Sequence, residues 1–461
     1  MGVNDFENRL KFLGGVVVLI FVVLFARVGY MQIYQGEYYE RRAEGNRIRL
    51  IPTMAPRGTF FDRNGENIVT NRPGFTVSLL PLTAPIAPEV VARLSELLKV
   101  SQAEIQAKIK AHVGFEPIRI KTDIGPEILT IIEEQKELYP GVIIEIQAVR
   151  DYLYREQAAH VLGYVSEISD EELEAKKEQG YRTGDIIGKS GLERIYDKEL
   201  RGTNGGRQVE VDVTGKPVQV LGQKDAVPGN DLILTIDWKL QAATEKAIDE
   251  QLQLIGCQAA AAVVMNPQTG EVLAMVSRPS FNPNLFVHGI SEKEWKKINE
   301  NPYFPLDNKA ITGEYPPGST FKIVTGAAAL SEGVVTPTEK IYDGGEYMDK
   351  GNASGEVLGW LDFVGGLSYS DNVYFYILGH RLGIDRLERY SRMFGLGEKT
   401  GINLPYEAEG LVASRAYKER VFEEDWYVSE TLDAAIGQGF NLVTPLQAAM
   451  LISEIAANGR R

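Results

Sequence analysis

The chain has 461 residues, of which 44% are hydrophobic and 24% charged, so it is long enough to bury more than one core. Its 63 acidic residues outnumber 49 basic ones, and a net charge of −14 argues against a nucleic-acid partner, which would require a basic face. The single cysteine, Cys257, excludes an intrachain disulfide, and its apolar surroundings predict a buried position.

The N-terminal region is strongly apolar. Residues 12–26 read FLGGVVVLIFVVLFA without a charge, and after Arg27 the apolar character continues to Ile33. The whole segment is long enough to span a bilayer. A cleaved signal peptide is the alternative, but the uncharged core is long for one and no small-x-small cleavage site follows. We therefore predict a transmembrane helix over 12–33 after a short tail, 1–11. Basic residues flank both sides of the segment, so the charges leave its orientation open.

The next region mixes helix and strand signals. Asn64-Gly65, between two β-prone runs, predicts a tight hairpin, and residues 85–112 show the spacing of short amphipathic helices. Further strand-like runs are GVIIEIQAVRDYLY and GRQVEVDVTGKPVQVL. We predict a mixed α/β module over 34–225, followed by a polar linker with Pro228-Gly229.

Residues 226–461 show a different pattern of predicted helices and strands. A strand and an amphipathic helix come first, and then AAAAVVMNPQTGEVLAMVS predicts a buried hairpin around a Pro-Gln-Thr-Gly turn. Helical spacing follows over roughly 319–332, 367–382, 384–394 and 443–457. The predicted fold class is therefore α+β, with an antiparallel sheet and packed helices in this half.

The stretch YPPGSTFK places Ser319 directly after two prolines and a glycine, with Lys322 three residues on. The prolines disfavour helix before the serine, so Ser319 is predicted at or near a helix N-terminus with Lys322 on the same face. A lysine whose pKa is lowered can take the proton of a serine and so activate it as a nucleophile. A serine helix cap explains the same residue without catalysis, although Ser319 is the only serine with lysine at this spacing.

A second polar group follows 48 residues after Lys322, as Ser370-Asp371-Asn372 before the apolar run VYFYILGH. By itself it is a good helix N-cap. Together with the Ser-x-x-Lys pattern, it matches the paired motifs of serine enzymes that acylate on that serine. The two motifs together are much more specific than either one.

At this point the chain resembles a class B penicillin-binding protein, most closely the elongation-type penicillin-binding protein 2 group. The blocks that carry the resemblance lie in the same order along nearly the whole length: RGTFFDRNG, AAHVLGYVSEIS, GKSGLERIYDKELRG, MNPQTGEVLAM, YPPGSTFK, SDN and AIGQGFNLVTPLQAA. The resemblance implies a pedestal or dimerisation domain at 34–225 and a transpeptidase domain at 226–461. It also implies a D,D-transpeptidase that cross-links peptidoglycan stem peptides ending in D-Ala-D-Ala and is acylated by β-lactams.

The resemblance also implies the roles of individual residues. Ser319 would be the nucleophile and Lys322 its base, Ser370 and Asn372 would complete the proton relay and substrate contacts, and Asp371 would help to bind substrate. No metal or organic cofactor is implied, because the lysine supplies the base. The implied location is the cell membrane, with the N-terminus cytoplasmic and both domains outside. The implied partner is a membrane-embedded glycosyltransferase of the shape–elongation–division–sporulation type.

A third family motif, Lys-Thr/Ser-Gly, is also expected beside the nucleophile. The chain contains Lys399-Thr400-Gly401, but in FGLGEKTGINLP, a stretch that in relatives is not catalytic. We therefore expect Lys399 to be no part of the site and the active motif to lie after the IGQG…TPLQ block, beyond Arg461. On this interpretation the sequence is truncated within the transpeptidase domain.

Three other functions remain as alternatives. A catalytically incompetent fragment or β-lactam-binding scaffold fits the missing third motif, while the intact Ser319 and Ser370 motifs argue against it. A β-lactam-sensing receptor would require a multi-span cytoplasmic relay, and a β-lactamase would not require the large N-terminal module.

Overall fold

The computed structural model describes residues 3–35, 48–80, 86–112, 117–211, 217–287 and 289–460. The sixteen strands in these ranges are β1 Ile48–Thr53, β2 Phe60–Phe61, β3 Asn67–Leu79, β4 Ile118–Ile124, β5 Val142–Tyr152, β6 Val165–Glu167, β7 Ile186–Gly188, β8 Gly205–Val211, β9 Pro217–Lys224, β10 Leu232–Ile233, β11 Ala260–Met265, β12 Val272–Arg278, β13 Ile341–Asp343, β14 Glu346–Tyr347, β15 Lys350–Gly351 and β16 Gly359–Leu361.

Eighteen α-helices occur in the same ranges: α1 Val3–Gly29, α2 Pro88–Leu98, α3 Gln102–Ala111, α4 Pro126–Glu134, α5 Ala159–Leu162, α6 Asp170–Lys176, α7 Gly191–Ile195, α8 Asp197–Arg201, α9 Trp238–Ile255, α10 Glu292–Asn299, α11 Lys309–Thr312, α12 Lys322–Ser331, α13 Phe363–Ser368, α14 Asn372–Leu382, α15 Ile384–Met393, α16 Arg415–Phe422, α17 Val428–Ala435 and α18 Pro445–Ala456. Short 3₁₀ helices add single turns at Lys136–Leu138, Lys177–Gln179, Pro283–Leu285 and Gly318–Phe321.

The N-terminal helix has the properties of a membrane anchor. Leu13–Ile33 has a mean hydropathy of 2.3, and within the described part of the chain it is the one helix long and apolar enough to cross a bilayer. Its apolar side chains are exposed rather than packed in a core. Such exposure is unfavourable in water but not in the hydrocarbon interior of a bilayer. The predicted single anchor is consistent with this helix.

The chain divides into two compact units, and both are discontinuous in sequence. The first comprises residues 1–56, 73–149 and 202–228. Its core is formed where strands β3 and β4 pair antiparallel and helices α2, α3 and α4 cover apolar side chains such as Val77, Leu94 and Ile105. Strands β1, β8 and β9 form a separate antiparallel sheet. The spacing of apolar residues predicted helices α2 and α3, and the strand-like run GRQVEVDVTGKPVQVL predicted β8 and β9, whereas β1, β4 and α4 were not predicted.

The second unit comprises residues 57–72, 150–201 and 229–461, so it takes in two segments from the predicted pedestal range. A buried ion-pair network joins the first two of these segments to each other. Glu193, which is fully buried, accepts hydrogen bonds from Arg57 (2.8 Å) and Arg150 (2.6 Å), and Arg57 also pairs with Asp197 at 2.9 Å. Removing one partner would strand the other charges away from water, so these segments are held together strongly.

The core of this unit surrounds helix α14. Asp371 caps its N-terminus, and seven of its eleven residues are buried, as expected for a helix enclosed by others. Helices α12, α15 and α17 pack against it around Ala328, Leu378 and Leu432. The predicted hairpin is present as β11 and β12, which pair antiparallel with an irregularity at Val264/Met265. Strand β12 is buried along its middle, whereas β11 is half-buried throughout.

Ser319 lies near a helix N-terminus, as predicted: residues Gly318–Phe321 form a 3₁₀ turn that leads directly into the α-helix at Lys322. One local prediction is wrong. Cys257 is exposed, because it lies in the turn after helix α9 rather than in the strand that follows. The α+β fold class itself is confirmed.

Candidate active site

Ser319 lies on the tight turn that precedes helix α12. The turn begins at Gly318, whose φ of +56° is in the left-handed region, and the Gly318 N–H donates to the Gly437 carbonyl at 2.9 Å. Phe321 is buried beneath the turn, whereas Ser319 is exposed. In 3₁₀ geometry side chains three residues apart eclipse, so the turn presents Ser319 and Lys322 on the same side. The serine hydroxyl is thus open to substrate while the lysine lies inside.

Lys322 is fully buried, and its ammonium group is held by the second predicted motif. Its Nζ donates to the Ser370 carbonyl (2.5 Å), to Ser370 Oγ (3.2 Å) and to Asn372 Oδ1 (2.7 Å). The Phe375 ring lies against it, with 5.6 Å between Nζ and the ring centroid. Burial lowers the pKa of Lys322 to about 8, although the Asp371 carboxyl group opposes this shift. The neutral amine, which can act as a base, is therefore accessible near physiological pH.

The turn at Ser370 is strained. Ser370 has a φ of +55°, which is uncommon for a residue other than glycine. This conformation directs both its carbonyl and its hydroxyl toward Lys322 before the chain enters helix α14 at Asn372. A strained serine between a buried lysine and a helix start is typical of a functional site rather than of a simple helix cap.

Asp371 lies behind the site and not in it. It is 1% exposed, its Oδ1 accepts from the Tyr374 N–H, and its Oδ2 accepts from Asn352 Nδ2 at 3.1 Å. Its role as a substrate ligand, implied by the family resemblance, does not fit this burial. Asn352 was not singled out from the sequence, and neither was Asp343, which binds the same Asn352 amide at 3.0 Å. Both lie in a glycine-rich polar stretch without a recognisable spacing, so no sequence signal pointed to them.

The structure thus brings Lys322, Ser370 and Asn372 together by direct hydrogen bonds and places Ser319 on the adjoining turn. Lys399-Thr400-Gly401 has other surroundings. Thr400 bonds to Glu407 through both its N–H (2.8 Å) and its hydroxyl (2.5 Å). Thr400 and Gly401 also line a cavity of about 460 Å³ with Met265 and residues of helix α18, and the described residues that line it do not include Ser319 or Lys322. These surroundings support the interpretation that Lys399 is not catalytic.

No group of three or more His, Cys, Asp or Glu side chains suited to a metal ion is found among the described residues. The charged chemistry at this site is carried by Lys322 and the carboxyl groups behind it.

Gly437 packs closely against the Ser319 turn. Its φ is +72°, and a Cβ there would lie 2.3 Å from the Gly318 carbonyl oxygen and 2.6 Å from Phe321 Cβ. Gly439 offers a matched control, because its φ is +66° but its Cβ would meet nothing closer than 3.4 Å. Alanine at either position costs about 1–2 kcal/mol for the left-handed backbone.

We expect Gly437→Ala to lower the free energy of unfolding by about 1–3 kcal/mol more than Gly439→Ala does, because only the new Cβ at Gly437 must displace the Ser319 turn. Thermal unfolding measures the difference in stability between the two variants. The rate of acylation by penicillin shows whether the Ser319 turn has been displaced. Equal effects of the two substitutions would show that the close approach of Gly437 to Gly318 is unimportant.

Comparisons with known proteins agree with this geometry. Residues 52–234 match the family of the penicillin-binding protein dimerisation domain, and residues 260–461 match that of the penicillin-binding protein transpeptidase domain. The peptidoglycan D,D-transpeptidase MrdA of Acinetobacter baumannii is 36% identical over 98% of this chain and 68% of its own length. The chain belongs to the penicillin-binding protein 2 family of peptidoglycan D,D-transpeptidases. The family predicted from the sequence is confirmed.

Solved structures of this penicillin-binding family show the same fold. A Helicobacter pylori penicillin-binding protein 2, solved in complex with MreC, superposes with a TM-score of 0.78 at 28% identity, covering 89% of this chain and 78% of that one. A peptidoglycan synthase complex that coordinates polymerization and crosslinking superposes with a TM-score of 0.67 at 33% identity, covering 97% and 77%.

Proposed function

We propose that this chain is a serine D,D-transpeptidase that cross-links peptidoglycan stem peptides through an acyl-enzyme on Ser319. The observation that carries the proposal is the buried Lys322 amine, held by Ser370 and Asn372 directly behind the exposed Ser319 turn. Membership of the family supports the same activity. The alternative of a scaffold without activity is not favoured, since direct hydrogen bonds join Lys322 to Ser370 and Asn372 beside the Ser319 turn.

In the proposed first step, Ser319 Oγ attacks the carbonyl carbon of the penultimate D-alanine while neutral Lys322 takes the hydroxyl proton. The tetrahedral intermediate then collapses: the peptide C–N bond breaks, and the departing D-alanine amine receives a proton from Lys322 by way of the Ser370 hydroxyl. An ester on Ser319 remains. The Ser319 N–H, at the start of a helical turn, would contribute to stabilising the oxyanion.

In the second step, the amine of a neighbouring stem peptide attacks the ester and Lys322 accepts its proton. Ser319 leaves and regains a proton, so the enzyme is restored and a new peptide bond joins the strands. A β-lactam follows only the first step, because its ring opens without releasing a leaving group and the acyl chain stays on the serine.

The domain boundaries and cellular arrangement belong to the same proposal: residues 1–11 cytoplasmic, 12–33 membrane-spanning, 34–225 a pedestal and 226–461 the transpeptidase domain outside. The apolar Leu13–Ile33 helix supports the anchor. A penicillin-binding protein 2 is known in complex with MreC, and another match is a complex for polymerization and crosslinking. We accordingly infer a membrane-embedded shape–elongation–division–sporulation glycosyltransferase as partner.

The test is to incubate the full chain, solubilised in detergent, with benzylpenicillin and to measure intact and tryptic masses. We expect one penicilloyl addition, located on the tryptic peptide that spans residues 310–322. Benzylpenicillin hydrolysed beforehand serves as the control and should add nothing. An adduct on a different peptide, or no adduct, would contradict the proposal.

A further inference from the structure

A tight β-hairpin, formed by strands β14 and β15, lies against helix α14. Tyr347 pairs with Lys350 across a two-residue turn, and the turn residues Met348 and Asp349 both have a positive φ, of +51° and +65°. Tight hairpin turns commonly have this backbone, because its twist matches that of the two strands. The Tyr347 hydroxyl and His380 Nδ1, on α14, lie 2.6 Å apart and share a hydrogen bond. The hairpin therefore has a defined position on the helix that carries Asn372.

Asn352, the first residue after strand β15, joins the hairpin to the turn at 370–372. Its side-chain Oδ1 accepts from the Asn372 N–H at 2.8 Å and from the Val373 N–H at 3.4 Å. These residues begin helix α14, where the backbone N–H groups have no partner within the helix. Asn372 Oδ1 in turn accepts from Lys322 Nζ at 2.7 Å. One residue therefore separates the Asn352 amide from the proposed base.

The orientation of the Asn352 amide is fixed from behind. Its Nδ2 donates to Asp343 Oδ2 (3.0 Å), to Asp371 Oδ2 (3.1 Å) and to the Glu356 carbonyl (3.0 Å). Reversing the amide would place its oxygen against these acceptors and its NH₂ group against the Asn372 N–H. Asp343 is 1% exposed and accepts two backbone N–H groups of its own, each at 2.7 Å. The acceptor that holds Asn372 is therefore pre-oriented.

The hairpin also contacts the side of the site that carries the nucleophile. Lys350, on β15, forms an ion pair with Asp433 of helix α17 at 2.7 Å. The Asp433 carbonyl accepts from the Gln438 N–H at 2.9 Å, which closes the loop that contains Gly437. Gly437 is the residue that packs against the Ser319 turn. Residues 346–352 thus bond at one end to the group that holds Lys322 and at the other to the helix that supports this loop.

We propose that Asn352 is a positioning residue and that residues 346–352 form a brace, which holds the turn at 370–372 in register with the Ser319 turn. The inference rests on the proposed function of Ser319 and Lys322. Those two residues share one turn, whereas the turn at 370–372 comes from 48 residues further along and needs contacts of its own to stay aligned. A displacement of about 1 Å in a catalytic arrangement can slow a reaction about a hundredfold, so the brace affects the rate without touching substrate.

Asn352→Ala tests the brace, and Asn284→Ala is the matched control. Asn284 is also half-buried, and its amide likewise holds a backbone N–H (3.0 Å) and a carbonyl (2.9 Å), but both belong to Tyr152. With a fluorescent penicillin and the full chain in detergent, we expect Asn352→Ala to lower the maximum acylation rate about 10- to 100-fold. The half-saturating concentration should change little, and Asn284→Ala should keep the wild-type rate.

A merely structural role of Asn352 would give a different result. Loss of folded protein would reduce the fraction of chains that become labelled, in both variants, and leave the rate of the labelled fraction unchanged. Equal maximum rates for Asn352→Ala and Asn284→Ala would overturn the proposal. If Asn352→Ala does not fold, Lys350→Met decides, because it removes only the partly exposed ion pair with Asp433. We expect this variant to be acylated about two- to fivefold more slowly, and an unchanged rate would overturn the brace.

Hydrogen exchange followed by mass spectrometry provides a readout that does not depend on activity. The peptide that contains the Asn372 and Val373 amides should exchange faster in Asn352→Ala than in the wild type, and at the wild-type rate in Asn284→Ala. Unchanged exchange in Asn352→Ala would overturn the proposal. If exchange becomes faster but the wild type is not acylated by penicillin, the proposed function fails while the brace stands.

Discussion

Replacing Ser319 by alanine should abolish acylation by penicillin and leave the fold intact. The other hydroxyl on this exposed turn, that of Thr320, donates to the Pro317 carbonyl at 2.7 Å, and without the proposed Ser319 nucleophile the acyl-enzyme cannot form. We expect the acylation rate to fall by about four orders of magnitude or more, as for other serine nucleophiles. Because Ser319 is exposed, its loss strands no buried partner, and the melting temperature should not change.

Ser331→Ala is the matched control, since Ser331 is an exposed serine at the C-terminal end of helix α12, which follows the Ser319 turn. Intact-mass measurement after incubation with benzylpenicillin, together with circular dichroism melting, distinguishes the variants. A penicilloyl adduct that persists in Ser319→Ala would assign the nucleophile to another residue and remove the basis of the mechanism.

Replacing Lys322 by methionine should have an effect of similar size on acylation for a different reason. Methionine fills the buried volume and retains a contact with Phe375, but it cannot accept the serine proton. We expect acylation to slow by at least about three orders of magnitude, because general-base catalysis and charge placement are lost together. Lys322→Arg tests charge alone: it keeps a cation that cannot deprotonate, so it should be equally inactive. Substantial activity in either variant, measured with a fluorescent penicillin, would refute the role of the base.

The pH dependence of the wild type follows from the same residue. Since the pKa of Lys322 is about 8, the neutral fraction falls tenfold for each pH unit below that value, and the acylation rate should rise with pH and level off above about 8. Stability should change in a separate window. The unfolded lysine, with its ordinary pKa of 10.5, binds a proton between pH 8 and 10.5 that the folded one has released. Lys322 should therefore increase the free energy of unfolding as pH rises through this window, and Lys322→Met should not show this increase.

The sequence predicted the features that are local or carried by spacing. The length of one uncharged apolar run predicted the anchor, Asn64-Gly65 predicted the hairpin at that turn, and two apolar runs around a Pro-Gln-Thr-Gly turn predicted the hairpin at 260–278. Helical spacing predicted the helices around 88–111 and 372–382, because side-chain burial repeats with the period of the helix. The Ser-x-x-Lys spacing placed Ser319 and Lys322 on one face of a turn, since residues three apart are neighbours in any helical geometry. The order of the motif blocks along the chain was sufficient to predict the protein family.

Other features required the tertiary structure. Ser370 adopts a left-handed conformation that no propensity favours, and it is held there by helix α12 on one side and the Asn352 loop on the other. The family resemblance implied that Asp371 binds substrate, but the folded chain buries it, and its carboxyl group accepts from the Asn352 amide, which lies 19 residues earlier. The buried Arg57–Glu193 network joins the segments 57–72 and 150–201 to each other, and other bonds join them to residues 229–461, such as those from the Trp238 N–H to Asp62 (3.1 Å) and from the Ala158 N–H to Glu245 (2.8 Å). The sequence by itself determined which groups could do the chemistry. The surroundings that bury Lys322 and set its pKa come from residues distant in sequence, because burial and charge depend on what the folded chain brings near.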